Sequence, residues 1–240
     1  MQENNVTTES SSKPRSLIAS PWHTVIVIVV VGINAYYGTI RSAHQRAGLG
    51  PSRPYMYLRT MLFEFVVLAI VVLGVRIRGG SLQVIFGQHW RSLRQLLTDL
   101  GLGVLLLLAS TVVASIFGSH QREGSAEHSI SYLLPQTWNE LLMWIALSIA
   151  AGVCEEAIYR GYLQGQFTAL TRNVPAGIFL SAATFGAAHA YQGLQRASVI
   201  AASALLFGLL AQKRGTVRPG MIAHSLQDAV APLLVKHMRH

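Results

Sequence analysis

Glu155, Glu156, Arg160, His189, His224 and Asp228 are the residues whose types and spacing could do chemistry. They lie inside or at the ends of apolar runs, where a charged group costs about 2.5–3.5 kcal/mol on insertion scales. Function is the default reading of such residues, and several of them must meet to offset that cost. Glu156 and Arg160 stand at i and i+4 with the acid first, the favourable order for a helical ion pair, and the pair reads as structural. Glu155 is turned about 100° from Glu156 on a 3.6-residue helix, so it can face a different space. Phe185 and His189 share one helical face at i, i+4, and so do His224 and Asp228. Three helices thus each present one polar edge, and the edges converge only if the helices pack around a common pocket. A carboxylate and a histidine around one water are the minimal kit for general-base hydrolysis, and a second histidine could donate to a developing oxyanion. Glu155, His189, His224 and Asp228 could instead hold a divalent metal such as zinc, although the HExxH pattern is absent.

The elements that must carry these residues are set by apolar run length. Runs at 22–40, 60–77, 97–118, 138–157, 176–191, 196–212 and 219–236 predict seven spans, with a short helix at 158–171 and an eighth crossing open. Spans near 20 residues are what a bilayer core requires. Trp22, Tyr36, Tyr37 and Trp138 stand at run ends as interfacial anchors. Pro51, Pro54, Pro135, Pro175 and Pro219 fall near proposed boundaries, where helices tolerate proline. The expected organisation is a polar, disordered tail at 1–21, N-terminal membrane helices at 22–137 and motif-bearing membrane helices at 138–240, forming one membrane domain. The run from Trp22 is too long for a cleaved leader and reads as a signal anchor.

Composition agrees. Hydrophobic residues make up 51% of the chain and charged residues 12%, with a mean hydropathy of +0.40. Soluble domains carry about twice that charge fraction. The net charge of +9 would suggest nucleic acid in a soluble protein. Here the arginines lie between apolar runs, where they read as topology signals and headgroup contacts, so no nucleic-acid partner is expected. The single cysteine, Cys154, excludes an intrachain disulfide and reads as a buried packing residue. Glu64, Asp99 and Glu140 read as interfacial or capping residues. The loop at 119–137, with Arg122 against Glu123 and Glu127, is expected outside. That puts the basic stretches 76–96 and 213–218 inside, and it leaves the arginines of 41–59 outside, against the positive-inside rule, a conflict that a partial crossing by one of the early segments would explain.

The segment EEAIYRGYL (155–163) matches the EExxxR motif of the CPBP family, the CAAX proteases and bacteriocin-processing enzymes. FGAAH (185–189) resembles that family's FxxxH motif, and HSLQD (224–228) its histidine followed four residues later by Asn or Asp. The three occur in the family's order, each on a separate apolar helix, and the resemblance covers about 138–236. It implies an all-α, polytopic membrane helix bundle of about seven to eight helices. The implied activity is that of an intramembrane endopeptidase acting on a peptide or protein substrate in or near the bilayer. Carried over, Glu155 would activate the water and His189 would help hold it. Glu156, Arg160 and Phe185 would support the site, and His224 with residue 228 would stabilise the oxyanion or complete the site. The family has been described both as metalloproteases and as metal-free glutamate proteases, so a zinc-like metal and no cofactor both stay open. Asp228 replaces the Asn of the prenyl-protein-processing members, and an ionised Asp cannot donate to an oxyanion. It could orient His224 or ligate a metal. Two other readings stand beside the peptidase. One is a non-catalytic membrane protein of the same fold, such as an immunity or scaffold factor. The other is a proton-coupled transporter, for which the expected internal repetition is not visible. The short loops and compact length point to a multi-pass protein of a prokaryotic plasma membrane.

Overall fold

The computed structural model describes residues 16–118 and 131–237, and among them every regular element is helical. In chain order these are α1 (Pro21–Arg46), α2 (Arg53–Ile77), the short α3 (Gln83–Phe86), α4 (Leu93–Gly118), α5 (Trp138–Thr171), α6 (Val174–Ala188), α7 (Leu194–Arg214) and α8 (Arg218–His237). Helices α1, α2, α4, α5 and α7 are each long and apolar enough to cross a membrane. The α6 helix is apolar but spans only 15 residues. The chain is an all-α polytopic bundle. The acidic loop at 119–130, most of the expected tail (1–15) and residues 238–240 lie outside the described residues.

Two expectations about the elements change. The short helix expected at 158–171 is not separate: α5 runs unbroken over 34 residues, because nothing between Trp138 and Thr171 breaks it. Its middle, Glu156–Leu163, winds as a π-helix. Such segments are rare and occur often at functional sites. Both α1 and α2 also have the length of a full span, so neither reads as a partial crossing. Of the four arginines of 41–59 that conflicted with the positive-inside rule, Arg46 is exposed and the other three turn inward. Arg53 donates to the Tyr132 carbonyl at 3.1 Å, Arg41 bonds Asn34, and Arg41 and Arg59 line an internal cavity.

Local sequence explains the ends. Ser20 caps α1 by accepting from the His23 N–H, with Pro21 as the first helical residue. Thr137 caps α5 by accepting from the Glu140 N–H, and the Glu140 carboxylate reaches back to the Gln136 N–H at 2.7 Å. Glu140 is therefore the capping residue it was expected to be. Asn173 caps α6 and is followed two residues later by Pro175. Gly215 ends α7 in the left-handed conformation at φ 65°.

Side chains facing outward along α1, α2 and α4, such as Ile26, Leu62 and Leu105, remain largely exposed, as lipid-facing residues must be. Inside, close approach rests on small residues, as is usual between membrane helices. A Cβ on Gly152 of α5 would lie 2.1 Å from Ser225 Oγ and 2.9 Å from the Met221 carbonyl of α8. Gly152→Val should therefore push α8, and His224 with it, away from α5. We expect a stability loss of about 1–3 kcal/mol or more by thermal denaturation in detergent, and unchanged stability would contradict this packing.

Two polar clusters lock the bundle. Fully buried Gln166 accepts from the Ile18 and Ala19 N–H groups and donates to Thr24 Oγ1 at 2.6 Å, tying the start of α1 to α5. Asp99, read as an interfacial or capping residue, lies in the second turn of α4 and is fully buried. It accepts from Trp90 Nε1 at 2.8 Å and pairs with Arg214 and Arg218, joining α4 to α7 and α8.

Candidate active site

The site grows from the π-helical stretch of α5. Glu156 and Arg160 pair at 2.8 Å and are almost fully buried. The Arg160 guanidinium lies over the Phe185 ring, 4.3 Å from its centroid, and faces the Phe207 ring at 5.2 Å. These contacts disperse a cation that would otherwise stand alone in an apolar place. Phe185 is the hub: its ring also meets Tyr159, His189 and His224 edge-on or tilted. Gly161 lets α3 come close beneath this stretch, since a Cβ there would lie 2.2 Å from the Ile85 carbonyl.

Glu156 does more than neutralise Arg160. Its Oε1 also accepts from His224 Nδ1 at 3.1 Å. A carboxylate only accepts, so the His224 proton at Nδ1 is fixed by Glu156. His224 Nε2 then points toward Glu155 and Asp228, at 3.6 Å from each. The partner that sets the His224 ring is thus Glu156, where sequence spacing pointed to Asp228. The i, i+4 relation puts Asp228 beside the ring but beyond hydrogen-bond length. Trp144 holds the backbone here by donating to the Asp228 carbonyl at 2.8 Å.

His189 ends α6 and is held differently. Its Nδ1 bonds the Phe185 carbonyl at 2.9 Å. A carbonyl cannot donate, so Nδ1 carries the proton, and in the neutral ring Nε2 keeps a free lone pair. His189 and Glu155 both line one cavity of about 490 Å³ between α1, α2, α5 and the turn after α6. Tyr159 and Tyr191 share its wall. The Tyr191 ring stacks beside His189 at 6.1 Å. Burial holds the Tyr191 phenol well above its usual range, so it is a neutral O–H group at the site.

The structure therefore brings Glu155, Glu156, Arg160, Phe185, His189, His224 and Asp228 into one neighbourhood. Glu155 and His189 face the cavity, and Glu156, Arg160 and Phe185 lie behind. Sequence reasoning missed Tyr191, which has no motif to announce it. It also missed Glu64 on α2, which is buried, lines the same cavity and meets the Glu155 carboxyl. The predicted run 60–77 put Glu64 one turn from a helix end, whereas the helix begins at Arg53 and leaves Glu64 midway along it, with no end to cap. Among the described residues no group of three or more His, Cys, Asp or Glu side chains is disposed to hold a metal ion.

Residues 137–230 match the family model described as Type II CAAX prenyl endopeptidase Rce1-like. This part of the chain is similar to that family. The match begins at the cap of α5 and ends within α8, so it takes in all three motif helices and leaves out α1, α2 and α4. No curated protein and no solved structure matches the chain. The Rce1-like family is a protease family. With several helices able to span a bilayer, the chain reads as a multi-pass membrane protein.

Proposed function

We propose that the protein is an intramembrane endopeptidase in which Glu155 activates a water held with His189. The observation that carries this reading is that a carboxylate and an imidazole with a free Nε2 line one cavity, in a chain whose residues 137–230 are similar to the Rce1-like family. Glu155 takes a proton from the water, whose oxygen attacks the carbonyl carbon of the scissile bond. The same proton then passes to the leaving amine nitrogen. His189 Nε2 accepts from the water's second hydrogen and holds it on line. His224, whose Nδ1–H goes to Glu156, acts in this reading as the imidazolium: its Nε2–H orients Glu155 and is the candidate oxyanion donor, with the Tyr191 hydroxyl as a second donor on the cavity wall. The substrate is a peptide or protein segment at the membrane, and every step here is carried by the chain's own side chains.

The test is incubation of purified protein with a mixed peptide library and mass-spectrometric detection of new termini. Cleaved peptides that vanish with His189→Ala support the reading. A stable, folded protein that cleaves nothing would favour the non-catalytic alternative. Proton uptake in vesicles without any cleavage would favour a transporter.

A further inference from the structure

The first half of the chain contributes to the site as well. We infer that Glu64 of α2 is a positioning residue that hydrogen-bonds the Glu155 carboxyl and aims it at the water. The inference rests on the peptidase reading for its consequence in catalysis, but not for its geometry.

Glu64 lies midway along α2, far from either helix end, and only 7% of it is exposed. Phe63 and Val67, which flank it on the cavity wall, are apolar. Among the described residues no cationic side chain pairs with its carboxyl; its hydrogen-bond contact is Glu155, on the wall of the same cavity. Two carboxyl groups can make that bond only with a proton between them, since a carboxylate has no donor. An acid so deep in an apolar helix, with nothing to cap, is retained for what it touches. What it touches is the base. With His224 Nε2 at 3.6 Å and Glu64 also against it, Glu155 is braced from α8 and from α2. That leaves its remaining freedom toward the cavity it shares with His189. Since α2 lies outside the Rce1-like match, this part of the site is supplied by the N-terminal helices.

The test compares Glu64→Leu, which removes the bond but suits the apolar surroundings, with Glu64→Gln, which keeps a donor of the same shape. The probe is the library peptide that wild type cleaves fastest. Glu64→Leu should lower kcat by roughly 10–100-fold with little change in KM, the loss expected for a hydrogen bond to a charged group. Glu64→Gln should recover much of that loss. A merely structural Glu64 would give lower thermal stability with unchanged kcat per folded molecule, and that result overturns the inference. A second readout needs no substrate. Infrared spectra should show a protonated-carboxyl C=O stretch in wild type that disappears in Glu64→Leu and shifts in Glu155→Gln. A spectrum unchanged by Glu64→Leu overturns the inference even if peptides are cleaved. The expected spectra with no cleavage would sink the peptidase reading and leave the carboxyl pair standing.

Discussion

Glu156→Gln should destabilise the protein more than any other single change at the site. Glu156 Oε1 serves two buried groups at once, Arg160 at 2.8 Å and His224 Nδ1 at 3.1 Å. Arg160 is 5% exposed, and among the described residues Glu156 is the carboxylate that pairs with it, with the Phe185 and Phe207 rings on its faces. Removing the charge while keeping the shape leaves a guanidinium buried and unpaired. Breaking such a pair costs roughly 3–5 kcal/mol. We expect low yield and a strongly lowered Tm in detergent. The double change Glu156→Gln with Arg160→Met should recover part of the loss, because no uncompensated charge then remains. A single variant as stable as wild type would show that Glu156 is not the keystone of the motif.

Much of this arrangement was legible in the sequence. Apolar run length found the long helices, and proline positions marked their ends. The i, i+4 spacing foresaw the Glu156–Arg160 pair, because local spacing survives the change from α- to π-winding. What spacing could not foresee was which groups meet across helices. The bond from His224 to Glu156 spans 68 residues, and nothing local distinguishes it from the expected His224–Asp228 contact four residues away. Glu64 and Asp99 read as interfacial or capping residues because each lies within a turn or two of a predicted helix end. Their partners, Glu155 in one case and Arg214 with Arg218 in the other, are brought in only by the packing of distant helices. The π-helical winding was also hidden, since no single residue of Glu156–Leu163 demands it. Its effect is visible in the tight seat of Gly161 against Ile85.

Glu155→Gln is the second large effect, and it should appear in chemistry rather than in stability. Glutamine keeps the shape and a hydrogen-bonding group beside Glu64 and His224, so the helices have no reason to move. It removes the base. A positioned general base contributes about 10²–10⁴-fold to rate, and a loss of that order is expected in kcat while thermal stability stays near wild type. The contrast with Glu156→Gln is the sharpest feature of the account: adjacent glutamates, one needed for reaction and the other for folding. If Glu156→Gln were stable and inactive while Glu155→Gln were unstable, the two roles would be reversed.

The most direct measurement is therefore cleavage of a mixed peptide library by purified wild-type protein and by Glu155→Gln, with new termini read by mass spectrometry and folding checked by thermal denaturation of the same samples. The account predicts defined cleavage products from wild type and essentially none from a Glu155→Gln variant that melts at nearly the same temperature. Equal cleavage by both proteins would contradict it.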